Sequence, residues 1–118
     1  MIDFTLAKTK HAMWGLQLST YIGSDNATPP ASCLTSYRQC KLGTWLYSDG
    51  LSSYGHFPKM RDLERVHRQL HEMAQEIVTL KQHNQVAAAQ QKLIEMQTVS
   101  NEILHLLDRV NQKFSELR

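Results

Sequence analysis

Long apolar runs and a strong excess of one charge are both missing from this chain. No stretch is long and apolar enough to span a bilayer, and residues 1–8 lack the basic start and apolar run of a secretory signal. The 13 basic and 11 acidic residues give a formal net charge of +2, which is no reason to expect binding to nucleic acid or anionic lipid. We therefore expect a cytoplasmic protein that neither inserts into a membrane nor binds nucleic acid.

Cysteine is scarce as well, since Cys33 and Cys40 are the two in the sequence. Without an export signal we expect reduced thiols, so a disulfide between them is the less favoured alternative, and a thiol near several histidines is more often a metal ligand. The 118 residues, 42% of them hydrophobic, are enough for one core and too few for two. We predict a single domain over residues 1–118.

The start of the chain has the pattern of one amphipathic helix. Apolar or small residues recur there at intervals of three and four, at Phe4, Ala7, Trp14, Leu18 and Ile22. His11 falls in the same series. Asp3 is the predicted N-cap and Gly23 the predicted stop. Pro29 and Pro30 then exclude helix and indicate a loop.

The rest of the chain predicts one short helix and two long ones. We predict one or two short helical turns within residues 32–50, an irregular stretch over residues 51–57, and a helix from Pro58 to about His83. The apolar stripe of that helix is Leu63, Val66, Leu70, Met73, Ile77 and Leu80. The last helix repeats the spacing at Val86, Ala89, Leu93, Met96, Ser100, Ile103, Leu107, Val110, Phe114 and Leu117. We predict an all-α fold, an antiparallel four-helix bundle whose one short helix carries Cys40.

Two histidines have the spacing of a pair that can contact the same ion. His67 and His71 lie four apart on a predicted helix, which places both imidazoles on one side of it, within reach of one ion. Taken alone, the pair is better explained as two partly buried polar residues of an amphipathic helix. Arg68 follows His67 where the His-Glu-x-x-His motif of zinc peptidases has Glu, so the pattern argues against a peptidase.

His11 and Cys40 favour the interpretation that His67 and His71 bind a metal. His11 holds a core-facing position, where a polar ring costs free energy unless something satisfies it, although one such histidine is more often simply hydrogen-bonded. Cys40 precedes Gly43, expected to allow a tight turn, and Trp45, expected to anchor the segment. A lone cysteine there is usually a small buried hydrophobe. Together, three imidazoles and one thiolate form the tetrahedral set that Zn²⁺ prefers, so we predict a zinc site of His11, Cys40, His67 and His71.

Three short runs of sequence carry a family resemblance. They are Lys10-His11-Ala12-Met13-Trp14, Cys40-Lys41-Leu42-Gly43-Thr44-Trp45 and His67-Arg68-Gln69-Leu70-His71. In order and spacing they resemble the chemoreceptor zinc-binding domain family, over a region from about Asp3 to about Asp108. The resemblance implies a four-helix bundle, usually dimeric, attached to bacterial chemoreceptors or diguanylate cyclases, that senses zinc or oxidants. It also implies zinc ligation by His11, Cys40, His67 and His71.

The functional expectation is a regulatory zinc-binding sensor of zinc or oxidants, controlling bacterial signalling such as chemotaxis or cyclic-di-GMP output. Neither a chemoreceptor signalling hairpin nor a cyclase domain is present in the sequence, so the sequence does not identify the output, and the chain is either an excised domain or a free-standing one. The partners considered are a signalling protein and a fused output domain. A purely structural zinc site in a dimeric scaffold is the alternative. A zinc hydrolase is a third hypothesis, but four protein ligands leave no position for an activated water, and we expect no enzyme activity.

The apolar seam of the last helix bears on assembly. It continues to Leu117, beyond the region of resemblance, and an unpaired apolar stripe is poorly suited to contact with water. We therefore expect a homodimer. The remaining histidines, His56, His83 and His105, are expected to be solvated or to cap helices.

Overall fold

The fold is helical throughout the part of the chain that the structure, a computed structural model, describes: residues 3–25, 28–29 and 36–117. The helices are α1 (Phe4–Ile22), α2 (Lys41–Trp45), α3 (Leu51–Tyr54), α4 (Pro58–Gln82) and α5 (Val86–Leu117), with a π-helical turn, Leu46–Gly50, between α2 and α3. The predicted all-α class is confirmed. Within these same ranges, no helix has both the length and the apolar composition needed to cross a bilayer.

The ends of α1 lie where the sequence predicts them. Asp3 is the N-cap, and its Oδ1 accepts a hydrogen bond of 3.0 Å from the Leu6 N–H, one of the donors that a helix start leaves unpaired. At the other end the Gly23 N–H donates to the Ser19 carbonyl at 3.1 Å. The buried face of the helix consists of Phe4, Ala7, His11, Trp14, Leu18, Tyr21 and Ile22. An imidazole is thus part of the buried row.

Residues 41–54 form one continuous short helical segment with the π-helical turn in its middle. The predicted irregular stretch is therefore wrong for residues 51–54, which continue the helix as α3. Gly50 does not end the helix, because its φ of −59° and ψ of −58° are helical. A Cβ on Gly50 would lie 3.1 Å from the Trp45 ring. This glycine therefore allows an indole to pack against the backbone.

The connection between the two longest helices is short. Pro58 occupies the first turn of α4, as predicted. His83 is the C-cap of that helix, and Asn84 has a φ of 60°, the left-handed conformation that asparagine tolerates better than most residues. The chain then enters α5 at Val86, which confirms the predicted end near His83.

Ion pairs between the long helices show how they run. Lys92 of α5 lies 3.3 Å from Glu76 of α4, and Arg65, earlier in α4, pairs with Glu102, later in α5, at 3.9 Å. These two helices therefore lie side by side with opposite chain directions. Lys8 of α1 lies 2.6 Å from Asp108 near the other end of the same α5, and the C-terminal end of α1 contacts Lys81, whose Nζ donates to the Ile22 carbonyl at 2.9 Å. Accordingly, α1 and α4 run in the same direction.

The core lies between α1, α4 and α5, and the short helical segment covers one end of it. Phe4, Trp45 and Phe114 meet edge to face there, with ring centroids 5.6 to 5.8 Å apart, a favourable geometry for aromatic rings. Trp45 thus anchors the segment as predicted. The longest runs of fully buried aliphatic side chains belong to α4 and α5, so the core extends well beyond this end.

Candidate metal centre

Three separate elements bring the four predicted ligands together. His11 comes from the buried row of α1, and His67 and His71 come from successive turns of α4. Because α1 and α4 run side by side in the same direction, the His11 ring centroid lies 5.2 Å from that of His67 and 6.2 Å from that of His71. Cys40, half-buried, is the N-cap residue of α2. One ligand atom from each of the four lies within 4.8 Å of all the others.

The spacing of the ligand atoms suits a tetrahedral ion. Cys40 Sγ lies 3.1 Å from His67 Nε2, and His71 Nε2 also lies 3.1 Å from His67 Nε2. Zn–S and Zn–N bonds of about 2.3 and 2.0 to 2.1 Å give a tetrahedron with edges of roughly 3.3 to 3.6 Å. Two of the observed separations are thus close to the edges of such a tetrahedron. No two of the four ligand atoms are more than 4.8 Å apart, so metal binding would require a closure of at most about 1.5 Å.

Burial makes this group of polar side chains costly by itself. The exposed fractions of His11, His67 and His71 are 5%, 0% and 2%, and the one other buried polar side chain among the described residues is Ser100. Two of the ring nitrogens, His11 Nε2 and His67 Nδ1, have no hydrogen-bond partner. An unsatisfied buried polar atom costs about 1 to 3 kcal/mol. A cation bound to the group would satisfy His11 Nε2, so the residues fit a metal.

The tautomer of His11 is set by its own helix. Its Nδ1 lies 2.7 Å from the Ala7 carbonyl, and because a carbonyl only accepts, Nδ1 carries the proton. The lone pair of the neutral ring is therefore on Nε2, the atom without a partner. A backbone carbonyl on the far nitrogen is the usual support of a metal-binding histidine. His11 is thus already in the form that a metal requires.

The protonation states also suit metal binding. Burial lowers the pKa of His11, and burial together with the neighbouring His71 and His11 lowers the pKa of His67 to about 2. Both imidazoles are therefore neutral near pH 7, with a lone pair available to an ion. Burial raises the pKa of the Cys40 thiol, although hydrogen bonds from the Gly43 and Leu42 backbone partly offset this. A bound cation would favour the thiolate.

Gly43 allows the close packing that places Cys40. Its N–H donates to Cys40 Sγ at 3.4 Å, as in an N-cap. The expected tight turn at Gly43 is wrong, because the residue lies inside α2 and among the described residues no glycine has a positive φ. A Cβ at Gly43 would instead collide with the Tyr37 carbonyl. Glycine is required here because the preceding backbone lies against it.

A cleft connects this group with the surface. It has a volume of about 940 Å³, lies between α1 and the residues around Cys40, and is lined in part by His11 and Cys40. Lys10 and Lys41 also line it, and both are exposed. Small molecules in solution can therefore approach two of the four side chains from one side.

The other histidines stand apart from the group. His83 caps α4, with its Nδ1 2.9 Å from the Thr79 carbonyl. His105 is exposed and accepts a long hydrogen bond of 3.5 Å from Arg109, and His56 is exposed. These positions agree with the predicted solvated and capping roles. The alternative of a disulfide between Cys33 and Cys40 involves a residue, Cys33, that lies outside the described ranges.

One polar contact beside the group was not predicted. The Tyr47 hydroxyl donates a short hydrogen bond to Glu64 Oε1, which links the short helical segment to α4. The sequence does place Glu64 near the site, because Glu64 precedes His67 by three residues and so shares its side of the helix. Nothing in the sequence identifies Tyr47 as the partner.

A comparison with protein-family models assigns the region that contains this group. Residues 11–78, more than half of the chain, match the model of the chemoreceptor zinc-binding domain. Neither the curated proteins nor the solved structures gave a match. The matched region begins at His11 and includes Cys40, His67 and His71. The predicted family is confirmed: the chain belongs to the chemoreceptor zinc-binding domain family.

Proposed function

We propose that this chain is a regulatory zinc-binding sensor domain, a helical bundle in which α5 runs antiparallel to α1 and α4, and that it holds one Zn²⁺ through His11, Cys40, His67 and His71. The observation that carries the proposal is the convergence of three imidazoles and one thiol within 4.8 Å, with all three imidazoles buried. Family membership supports zinc as the ion. The donor set, three nitrogens and one sulfur, is of the kind that zinc prefers.

The same donor set favours regulation over catalysis. Four protein ligands complete the coordination sphere of a tetrahedral ion and leave no position for the activated water of a zinc hydrolase. We therefore propose that the domain is not an enzyme. When bound, zinc would keep Cys40 as a thiolate and join α1, α2 and α4 at one point.

The unequal support of the four ligands points to a sensor. The three histidines belong to long helices whose apolar faces are buried, so their positions are held by the core. Cys40 belongs to a short segment, is half-buried, and lines the cleft. An oxidant or a competing metal-binding molecule would thus meet Cys40 first. We propose that zinc occupancy or oxidation of Cys40 alters the packing of the short segment against α1 and α4.

The signalling context follows from the family and not from the site. We propose a cytoplasmic homodimer, acting with a signalling protein partner or a fused output domain in bacterial chemotaxis or cyclic-di-GMP signalling. A purely structural zinc site is the second candidate, favoured by the two unsatisfied nitrogens in a buried position, because a metal there would also stabilise the fold.

Metal removal separates these two functions. Protein purified without chelator should contain one zinc per chain, and a chelator should remove it through the cleft. A sensor should retain its helical circular dichroism after removal, because the apolar core extends over most of α4 and α5, and should take up zinc again. Loss of the helical signal on removal would establish the structural site instead. Protein that contains no zinc and takes up none would contradict both.

A further inference from the structure

The contact between Tyr47 and Glu64 lies at the joint between the short helical segment and α4. Tyr47 belongs to the π-helical turn, and its hydroxyl donates to Glu64 Oε1. The Glu64 side chain is 19% exposed, so the bond is largely shielded from water. Because Glu64 and His67 share one side of α4, the segment is tied to the turn of the helix that presents His67.

Arg38 extends this contact to the residues before Cys40. Its guanidinium carbon lies 4.7 Å from the centroid of the Tyr47 ring and 5.5 Å from that of Tyr37, within the range of cation–π attraction. The Arg38 carbonyl also accepts a hydrogen bond of 3.4 Å from the Thr44 hydroxyl. The chain leading to Cys40 is therefore held on the same tyrosine ring that is bonded to α4.

These contacts form a closed series, here called the circuit, that links Cys40 and His67 on both sides of the space between their ligand atoms. One side of it runs from Cys40 through Arg38 and Tyr47 to Glu64, and the other runs along one turn of α4 to His67. Cys40 Sγ and His67 Nε2 then face each other at 3.1 Å. Opening the circuit at Arg38, Tyr47 or Glu64 removes one restraint on this distance without changing a ligand.

Tyr47 is well suited to be the donor in this circuit. Burial raises the pKa of the Tyr47 hydroxyl far above its ordinary value, and the hydrogen bond to Glu64 raises it further, so the phenol stays protonated at any pH near neutrality. The Glu64 carboxylate also lies 4.0 Å from Arg68, which is 45% exposed, and attracts the exposed guanidinium of Arg38. Exposed ion pairs contribute little, whereas the Tyr47 hydroxyl donates a direct hydrogen bond to the carboxylate.

We propose that the Tyr47–Glu64 hydrogen bond is a latch that holds Cys40 against His67 and so sets how readily the Cys40 sulfur separates from the three histidines and releases zinc. The inference rests on the proposed zinc site. Tyr47 and Glu64 are positioning residues, since neither belongs to the group of ligand side chains. The latch would make the cysteine ligand resistant to exchange without adding a contact to the ion.

The test compares two tyrosine variants of the full chain loaded with zinc. Tyr47→Phe removes one hydroxyl and keeps the ring that Arg38 contacts. Tyr54→Phe is the matched control, because its ring packs on Phe114 with centroids 4.5 Å apart and its hydroxyl has no bond to Glu64. The readouts are zinc transfer to a chromophoric chelator and alkylation of Cys40 by iodoacetamide, followed by mass spectrometry.

Tyr47→Phe should accelerate both zinc release and Cys40 alkylation by about tenfold, the effect of losing one hydrogen bond to a charged acceptor. Tyr54→Phe should change both rates by less than about twofold, and circular dichroism should be the same in all proteins. Glu64→Gln keeps an acceptor oxygen but removes the charge, so it should accelerate both reactions less than Tyr47→Phe does. The double variant should be no faster than Tyr47→Phe alone, because the bond is already lost in that variant.

Several results would overturn the latch. One is a wild-type rate of Cys40 alkylation in both Tyr47→Phe and Glu64→Gln. Equal acceleration by Tyr47→Phe and Tyr54→Phe would show general loosening of the segment, and full additivity in the double variant would show two unrelated effects. If the wild-type protein bound no zinc, the proposed function would fail, and the alkylation rates of the metal-free variants would still decide whether the latch exists.

Discussion

Cys40 Sγ lies 3.1 Å from His67 Nε2 although 27 residues separate them in the chain. The first belongs to the start of a five-residue helix and the second to the middle of a 25-residue helix. Cys40 therefore belongs to a small element, whereas His67 belongs to a helix that forms part of the core.

Loss of one imidazole should abolish tight zinc binding. His67→Ala and His71→Ala should each weaken zinc affinity by more than about 100-fold, because substitutions of residues that only support a ligand already cost 10- to 100-fold. His105→Ala is the control, since His105 is exposed and outside the group. Zinc content by mass spectrometry and competition with a chelator measure the effect. Full affinity in both ligand variants would refute the assignment.

Acid should destabilise the metal-free protein. The pKa values of His11 and His67 are lower in the folded state than their ordinary value of 6.5, so below about pH 6.5 the unfolded chain binds protons that the folded chain does not. The free energy of unfolding should therefore decrease as the pH falls from 7.5 to 5.5, by up to about 1.4 kcal/mol per pH unit for each group below that point.

Urea unfolding at these pH values measures the effect. His67→Gln should show a shallower pH dependence, because one of the two groups is lost, whereas His105→Gln should match the wild type. Equal stability at pH 7.5 and 5.5 would contradict the prediction.

Gly43→Ala should impair both the fold of the short segment and the metal site. The added Cβ would collide with the Tyr37 carbonyl, and such overpacking typically costs about 1 to 3 kcal/mol. Zinc affinity should fall as well, because relief of the collision would displace the residue 43 N–H that donates to Cys40 Sγ. Gly23→Ala is a matched control: its Cβ would have an ordinary contact of 3.6 Å with the Ser19 carbonyl. Thermal unfolding and zinc competition should distinguish the two variants, and equal behaviour would count against the close approach.

Mild oxidation should modify Cys40 before Cys33. Bound zinc would keep Cys40 as a thiolate, the form of cysteine that reacts with oxidants, and oxidation would reduce the ability of its sulfur to bind the metal. Zinc should then be released while helical content stays nearly unchanged, since the long helices retain their core. Mass spectrometry of each cysteine, a zinc-responsive dye and circular dichroism provide the readouts. Preferential oxidation of Cys33, or global unfolding when Cys40 is modified, would favour a structural site.

The protein should be a homodimer in solution. Large apolar side chains remain exposed on two helices, among them Leu16 at 71% and Ile94 at 65%. The apolar seam of α5 does not add to this surface, contrary to expectation, because its residues from Met96 to Phe114 are buried in the chain's own core. Burial of such side chains in a dimer is favourable. Light scattering at tens of micromolar should give twice the chain mass of 13.6 kDa, and a monomer at that concentration would contradict the prediction.

The sequence predicts the long helices well because their signal is local. The apolar residues of α1, α4 and α5 recur with the helical period, and Asp3 and Pro58 mark helix starts through chemistry that acts within one turn. The candidate ligands could be found for a similar reason: histidine in a buried row conflicts with its surroundings, and cysteine and histidine have few common roles.

The features that sequence reasoning missed depend on contacts between distant parts of the chain. The helix continues through residues 51–54, where Gly50 has a helical backbone and the Trp45 ring packs against it, a contact that no local pattern predicts. Gly43 was expected to allow a turn, whereas the approach of the Tyr37 carbonyl is what requires it. The Tyr47–Glu64 bond joins two elements 17 residues apart, with no periodic pattern to reveal it.

The parallel course of α1 and α4 has a consequence for the order of assembly. His11 and His67 meet only when two helices far apart in the chain have docked at the correct register, with α5 packed against both. Closing so long a loop is slow and carries an entropic cost. The complete ligand set therefore does not exist in a nascent or partly folded chain, which offers at most the His67 and His71 pair. If the group holds zinc as proposed, tight metal uptake would require a correctly folded chain, and metal content would measure the fraction of chains that have folded.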